Sequence, residues 1–285
     1  MNTLEQALSN STVAGWIAFF KTADIPVLRQ TARDIEVLRA DEDNTSARDI
    51  TLAVLKDPMM VFKVLTYAQR HKGRQQLQDL VQVEQAVIML GTSTFFNHIV
   101  PEPTVEAVIG MRMIALTHLL KLIKRAHRAS HYAIEWAAYL KDLHAEDVRL
   151  AALLRDLAEM LMWCFAPEKM LEMHQMQQQD RQLRSMDAQL KVLTFKLMDL
   201  QKALVEAFGL PPLLSELMDE DKADVQRVKN VRLAVNLARH SANGWDNAAL
   251  PDDYKEIASL LHVDVSRVMH LIGVPATSNL DAPPA

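Results

Sequence analysis

Apolar residues recur along this chain at intervals of three and four. Val61, Val64, Leu65 and Ala68 fall at i, i+3, i+4 and i+7, and Val83, Ala86, Val87 and Leu90 repeat the spacing. Leu150, Leu153, Leu154, Leu157 and Leu161 carry it through Val148 to Trp163, which reads as one amphipathic helix with a single buried face. Leu190, Leu193, Leu197, Leu200, Leu204 and Phe208 predict a long packed helix, closed by Gly209-Leu210-Pro211-Pro212. There is no Asn-Gly hairpin between alternating runs and no sustained period-two pattern. An all-α fold is expected.

Breaks in the pattern organise the chain. Asp57-Pro58 offers an N-cap and a first-turn proline for the helix carrying Val61. His71-Lys72-Gly73 ends that helix, and Gly91 marks a helix end or a close approach of backbone. Pro101-Glu102-Pro103 holds an extended link. It divides an N-terminal lobe, about 1–100, from a C-terminal lobe, about 103–274, with a disordered tail expected over 275–285. Past it, Leu116, Leu119, Leu120 and Ile123 begin a helix running to Leu140 or kinking near His127. Ala126, Ala129, Ser130, Ala133 and Ala137 form a small-residue stripe on it that lets a neighbour approach, the central helix being the natural one.

Composition narrows the function. With 285 residues, 49% hydrophobic and 24% charged, the chain can bury a large core, and its seven glycines argue against a turn-rich β fold. No apolar run approaches the ~20 residues of a membrane helix, and MNTLEQALSNS lacks the features of a signal peptide. A cytoplasmic protein is expected. A net charge of -5 gives no reason to expect direct nucleic-acid binding. The single Cys164, between Trp163 and Phe165, reads as a buried thiol. Met160, Met162, Met170, Met173 and Met176 read as adaptable core filler, or as a peptide groove. There is no Gly-rich phosphate loop, Gly-x-Ser-x-Gly or Cys-x-x-Cys.

Two constellations on the helix after Leu116 carry candidate chemistry. Lys121, Lys124, Arg125 and Arg128 form a basic stripe beside Leu116, Leu120 and Ile123, which are expected to be buried. It is either a solvated face or a surface for an acidic partner or small anion. His127 and His131 lie one turn apart, but Glu135 is ~12 Å along the axis from His127, too far to complete a metal triad. A third ligand would have to come from elsewhere, such as Asp156. The plainer reading pairs His131 with Glu135 at i+4.

In order and spacing the segments resemble the HDOD domain family, non-catalytic relatives of the metal-dependent HD phosphohydrolases. The resemblance rests on Ile25-Pro26-Val27-Leu28, on Ile50 with Lys56-Asp57-Pro58 and Lys63-Val64-Leu65, on Val83–Gly91, on Ser130 with Ala133, on Leu153–Leu157, on Phe208-Gly209-Leu210-Pro211 and on Val231–His240. It implies an HD-like orthogonal helical bundle in two lobes, and a bacterial signal-transduction module that binds a signalling protein or a small anionic ligand without a cofactor. The departures agree with a lost metal site. Arg155 stands where the histidine of the His-Asp pair is expected, leaving Asp156. Leu197 lies near a later family histidine, and Met218-Asp219-Glu220-Asp221 replaces an adjacent His-His. Gln69 sits near the place of a usual asparagine. A guanidinium has five donors and no acceptor, so it cannot ligate a cation. Arg155 can pair with Glu159, bond Asp156 or another acid, or meet a phosphate. The alternative is a phosphohydrolase with an altered site built from His127, His131 and Asp156.

Overall fold

The structure, a computed structural model, describes residues 4, 5, 7, 11–71, 82–180, 182–219, 222 and 225–275. Lys72, Gly73, Glu220, Asp221 and the tail from residue 276 lie outside that set. The expected all-α class is observed: among the described residues there is no strand, and β pairing is limited to a bridge between Val27 and Thr104. In chain order the helices are α1 (Val13–Phe20), α2 (Arg29–Ala40), α3 (Ala47–Val54), α4 (Pro58–Arg70), α5 (Val83–Leu90), α6 (Thr92–His98), α7 (Val105–Ile109), α8 (Met113–Tyr139) and α9 (Ala145–Leu154). They continue with α10 (Leu157–Phe165), α11 (Pro167–Gln179), α12 (Ser185–Val192), α13 (Leu197–Ala207), α14 (Pro212–Leu217), α15 (Gln226–His240), α16 (Leu250–Leu261) and α17 (Val265–Leu271). No helix among the described residues is long and apolar enough to cross a membrane.

The chain forms two compact units, each discontinuous in sequence. Met1–Ile123 joins Asp156–Ser215, and Lys124–Arg155 joins Glu216–Ala285. Helix α8 contributes to both. The Pro101-Glu102-Pro103 link lies inside the first unit. There Val27 N–H donates to Pro103 O at 3.0 Å, and Val105 N–H donates to Val27 O at 2.8 Å, so the proline segment is paired with the stretch that leads into α2.

In the first unit α4 is largely enclosed, with Met59, Met60, Val61, Phe62, Val64, Leu65 and Ala68 all buried. Asp57 starts it as expected. Its Oδ1 accepts from Met59 N–H at 2.9 Å and Met60 N–H at 3.3 Å, and its Oδ2 accepts from Leu28 N–H at 2.6 Å. One carboxylate therefore caps α4 and anchors the segment leading into α2. Burial pushes its carboxyl up to about 6, against the N–H groups of Leu28, Met60 and Met59 and the Thr31 hydroxyl, which pull it down. An aromatic group formed by Trp16, Phe19 and Phe20 of α1 with Phe165 closes another side of the core, with Phe19 edge-on to Phe165 at 5.0 Å. Cys164 is buried against Met59, and burial raises its thiol pKa far from the reactive range. Met160, Met162, Met170 and Met173 are buried as well.

Two periodic runs are shorter helices than their spacing predicts. The run from Leu190 to Phe208 breaks after Val192, because Thr194 adopts a left-handed φ of 72°. Its hydroxyl donates to Ser11 O at 2.6 Å while Ser11 Oγ donates to Leu193 O at 2.8 Å, an exchange that holds a conformation β-branched residues avoid. Leu190 is consequently exposed, whereas Leu193, Leu200, Leu204 and Phe208 stay buried. The central run Val148–Trp163 breaks at Arg155-Asp156, although Leu150, Leu153, Leu154, Leu157 and Leu161 are all buried as their spacing requires. Gly91 and Gly209 end α5 and α13 with φ of 78° and 65°, and an added Cβ would meet nothing at either; the backbone angle alone selects glycine there.

The second unit is built on the small-residue stripe of α8. Ala126, Ala129, Ser130, Ala133 and Ala137 are buried, and Asn230 of α15 donates to Ala133 O at 3.1 Å. Helix α15 also packs against α9 and α16. Arg227 clamps Asp142 with two N–H···O bonds of 2.7 Å. Burial raises the Asp142 carboxyl, but Arg227 and the His144 N–H outweigh it and leave the pKa lowered.

Asp57→Ala removes the acceptor for three N–H groups and is expected to cost about 2–4 kcal/mol in urea unfolding. The folded pKa of Asp57 lies above its unfolded value, so its stabilising contribution is complete below the unfolded pKa and is lost as pH rises through about 6. The stability of Asp57→Asn relative to the parent should therefore improve by roughly 3 kcal/mol between acid and neutral pH. For Asp142 the sign reverses: its contribution holds above the unfolded pKa and fades as pH falls through the folded one. Arg227→Ala should cost about 1–3 kcal/mol at neutral pH, with a smaller penalty in acid.

Candidate functional site

The chemistry expected of the central helix centres on its break. Arg155 keeps helical angles, φ -53° and ψ -39°, whereas Asp156 leaves them, φ -108° and ψ 23°, and makes no side-chain cap to α10. The first turn of α10 is satisfied from elsewhere. Gln201 of α13, buried, accepts the Ala158 N–H at 2.7 Å. Gln201 escaped the sequence reading because its partner is 43 residues away, although a polar residue between Leu200 and Leu204 was a signal. Arg155 and Asp156 are both half-buried, and both are engaged by other groups.

Position 155 carries no lone pair to offer. Leu197, near the later family position, is a buried leucine at the start of α13. Among the described residues no three His, Cys, Asp or Glu side chains gather where they could share an ion. His131, one member of the alternative triad, is exposed, and its Nε2 pairs with Glu135 Oε1 at 3.2 Å, as the i+4 spacing predicts. His127 is half-buried and also engaged.

The basic stripe divides along its length. Lys121 and Lys124 are exposed, and Arg125 is half-buried. Arg128 turns into the second unit, where its Nη1 donates to Ser241 O at 3.2 Å and its Nη2 donates to Ser241 Oγ at 3.1 Å and Tyr132 Oη at 3.0 Å. Its guanidinium also lies over the rings of Tyr132 and Trp245. Ser241 is the C-cap of α15, so a cation meets the negative end of that helix. The fork of donors on Arg128 suits this role and removes it from any surface stripe. Leu120, expected to be buried beside the stripe, is 44% exposed, so the face around Lys121 and Lys124 carries an apolar member.

One group was missed altogether. His118 of α8 stacks on Trp163 at 4.9 Å with an interplanar angle of 4°, and meets His174 of α11 edge-on at 4.3 Å. Burial, then His174 and Lys121, lower the His118 pKa, so the imidazole is held towards its neutral form. His118 lies 45 positions before Trp163 and Trp163 lies 11 before His174, on three different helices, so no local spacing marks the group.

Comparison with known proteins places this geometry. The chain superposes on the MmoQ response regulator of Methylococcus capsulatus strain Bath with 17% identity and a TM-score of 0.65, covering 87% of this chain and 98% of that one. It superposes on a virulence factor of Campylobacter jejuni with 15% identity and a TM-score of 0.66, covering 96% and 99%. At these identities the likeness is one of fold. A search of curated proteins gives no significant match. The HDOD domain model matches residues 25–223, which takes in the Ile25–Leu28 opening, the Asp57-Pro58 helix start, the Arg155-Asp156 break and the Gly209-Leu210-Pro211 turn. On that match the chain belongs to the HDOD domain family.

Proposed function

We propose that this chain is a non-catalytic bacterial signal-transduction module that works by binding a protein partner or a small anionic ligand in the cytoplasm. The observation that carries the reading is Arg155. An HD phosphohydrolase needs its central pair to hold a metal ion that activates water and polarises a phosphate. A half-buried guanidinium there supplies positive charge and hydrogen-bond donors in place of a lone pair. With the His131 ring paired to Glu135, the residues of the alternative hydrolase site are also otherwise employed. The surface offered to an acidic partner is the exposed Lys121 and Lys124, with the exposed Leu120 one turn before Lys124. Arg128 belongs to the scaffold of that surface.

Protein purified without chelator should carry no stoichiometric transition metal and should leave generic phosphodiesters and cyclic dinucleotides intact. Bound metal that disappears in His131→Ala would overturn the reading in favour of the altered hydrolase. Charge reversal at Lys121 and Lys124 together should slow association with an acidic partner by about tenfold at low salt, with little change at high salt. Unchanged partner capture by that variant would remove the lysines from the binding surface. Arg128→Ala, by contrast, should lower stability by about 1–3 kcal/mol through loss of the Ser241 and Tyr132 bonds, read by thermal or urea unfolding.

A further inference from the structure

Within the first unit a cleft of about 180 Å³ opens along one face of α4. Phe62, Thr66 and Arg70 follow at i, i+4 and i+8, so a single helix face runs from an apolar floor to a charged rim. Phe62 packs against Phe208 at 4.8 Å between ring centroids, and with Phe20 and Ile25 these rings form the floor. Beside them Tyr67 lies near-parallel to His98 at 5.9 Å and 14°, and stacks on His71 at 4.0 Å, which holds its ring as a flat wall.

The polar groups of the cleft are unevenly employed. Lys63 is committed, since its Nζ donates to Glu102 O at 2.6 Å and to Ile25 O at 3.0 Å. Thr66 is not. Its residue is only 7% exposed, and its Oγ1 has no hydrogen-bond partner among the described residues, even though a helical threonine ordinarily bonds the carbonyl one turn back. A buried hydroxyl left unpaired is costly, and one that lines a cleft is a place for a ligand atom. Arg70 lies over the Phe208 ring at 5.8 Å, with no carboxylate pairing it among the described residues, and Lys21 adds a second exposed cation. Asp24 is the single carboxylate in the lining.

From this arrangement we propose that the cleft is a binding site for a small planar anion. Its aromatic ring rests on the Phe62 and Phe208 floor, its carboxylate, sulfonate or phosphate meets Arg70, and one polar atom bonds the Thr66 hydroxyl. The proposal rests on the ligand-binding arm of the proposed function and gives that arm a site of its own, separate from Lys121 and Lys124. The apolar floor argues for a ring, and the excess of cations on the rim sets the sign of the charge.

Titration calorimetry of the full chain with anilinonaphthalene sulfonate and with AMP tests it. At least one probe should bind one to one. Arg70→Gln and Thr66→Val should each weaken that binding by about tenfold, the loss of one good hydrogen bond to a ligand. Arg70→Lys should recover part of the loss, and Lys124→Glu should leave it unchanged. Equal melting temperatures across the variants exclude unfolding as the cause. No binding of either probe, or parent affinity in both Arg70→Gln and Thr66→Val, would overturn the proposal. Neither result touches the metal and phosphodiesterase measurements, so the cleft and the regulatory reading fail separately.

Discussion

The carboxylate of Asp57 accepts N–H groups from Leu28, Met59 and Met60, and through them it joins the entry to α2 to the start of α4. The placement of α4 follows from that junction. With α4 pinned at its N-terminus, Met59 to Leu65 are committed to the core, and the i, i+4, i+8 face of Phe62, Thr66 and Arg70 is turned to the cleft. A fully buried carboxyl is expensive to desolvate, and burial raises its pKa to about 6 even against the donors that hold it. Such a group persists where several orphan backbone donors, the unsatisfied N–H groups of a helix start among them, need one compact acceptor.

The second unit solves a related problem with the opposite charge. Helix α15 ends at Ser241, and Arg128 brings a guanidinium to that end, where carbonyls are left without intrahelical partners. Arg227 and Asp142 pair nearer its beginning. Both arginines are half-buried and hydrogen-bonded, a setting in which a planar fork outperforms a lysine ammonium. The lysines of the same stretch of α8 remain in solvent. Arginine in the scaffold and lysine at the surface is the division of labour that lets one helix carry both structure and a candidate binding face.

Family membership and the central break bear on function in different ways. The HDOD match and the two structural likenesses establish the fold. Chemistry turns on individual side chains, and fold alone does not carry it. The proposed reading turns on Arg155, a permanent cation where the family resemblance puts a metal-ligating histidine. On the proposed reading the chain acts by what it binds, which directs attention to surfaces and clefts with unspent hydrogen-bonding capacity, and among the described residues Thr66 has it.

Much of the architecture was legible in the order of residues. The three-four spacing of leucines and valines marked the buried faces, because a helix repeats every 3.6 residues whatever it packs against. Asp57-Pro58, Gly91 and Gly209 marked ends for equally local reasons, a capping oxygen, a fixed φ and a positive φ. His131 found Glu135 one turn on. The sequence by itself therefore determined the class of fold, most helix faces, and the arginine at the central pair. Only the tertiary structure decided where two apparently continuous helices break, since Thr194 is held by Ser11 and the first turn of α10 by Gln201, partners 183 and 43 residues away. It also decided that Arg128 bonds inward to Ser241 and Tyr132 while Lys124 stays in solvent, and that Phe62, Thr66 and Phe208 share a cleft. Periodicity is a property of neighbours along the chain. Hydrogen-bond satisfaction and enclosure are properties of neighbours in space, and these appear only once the chain has folded.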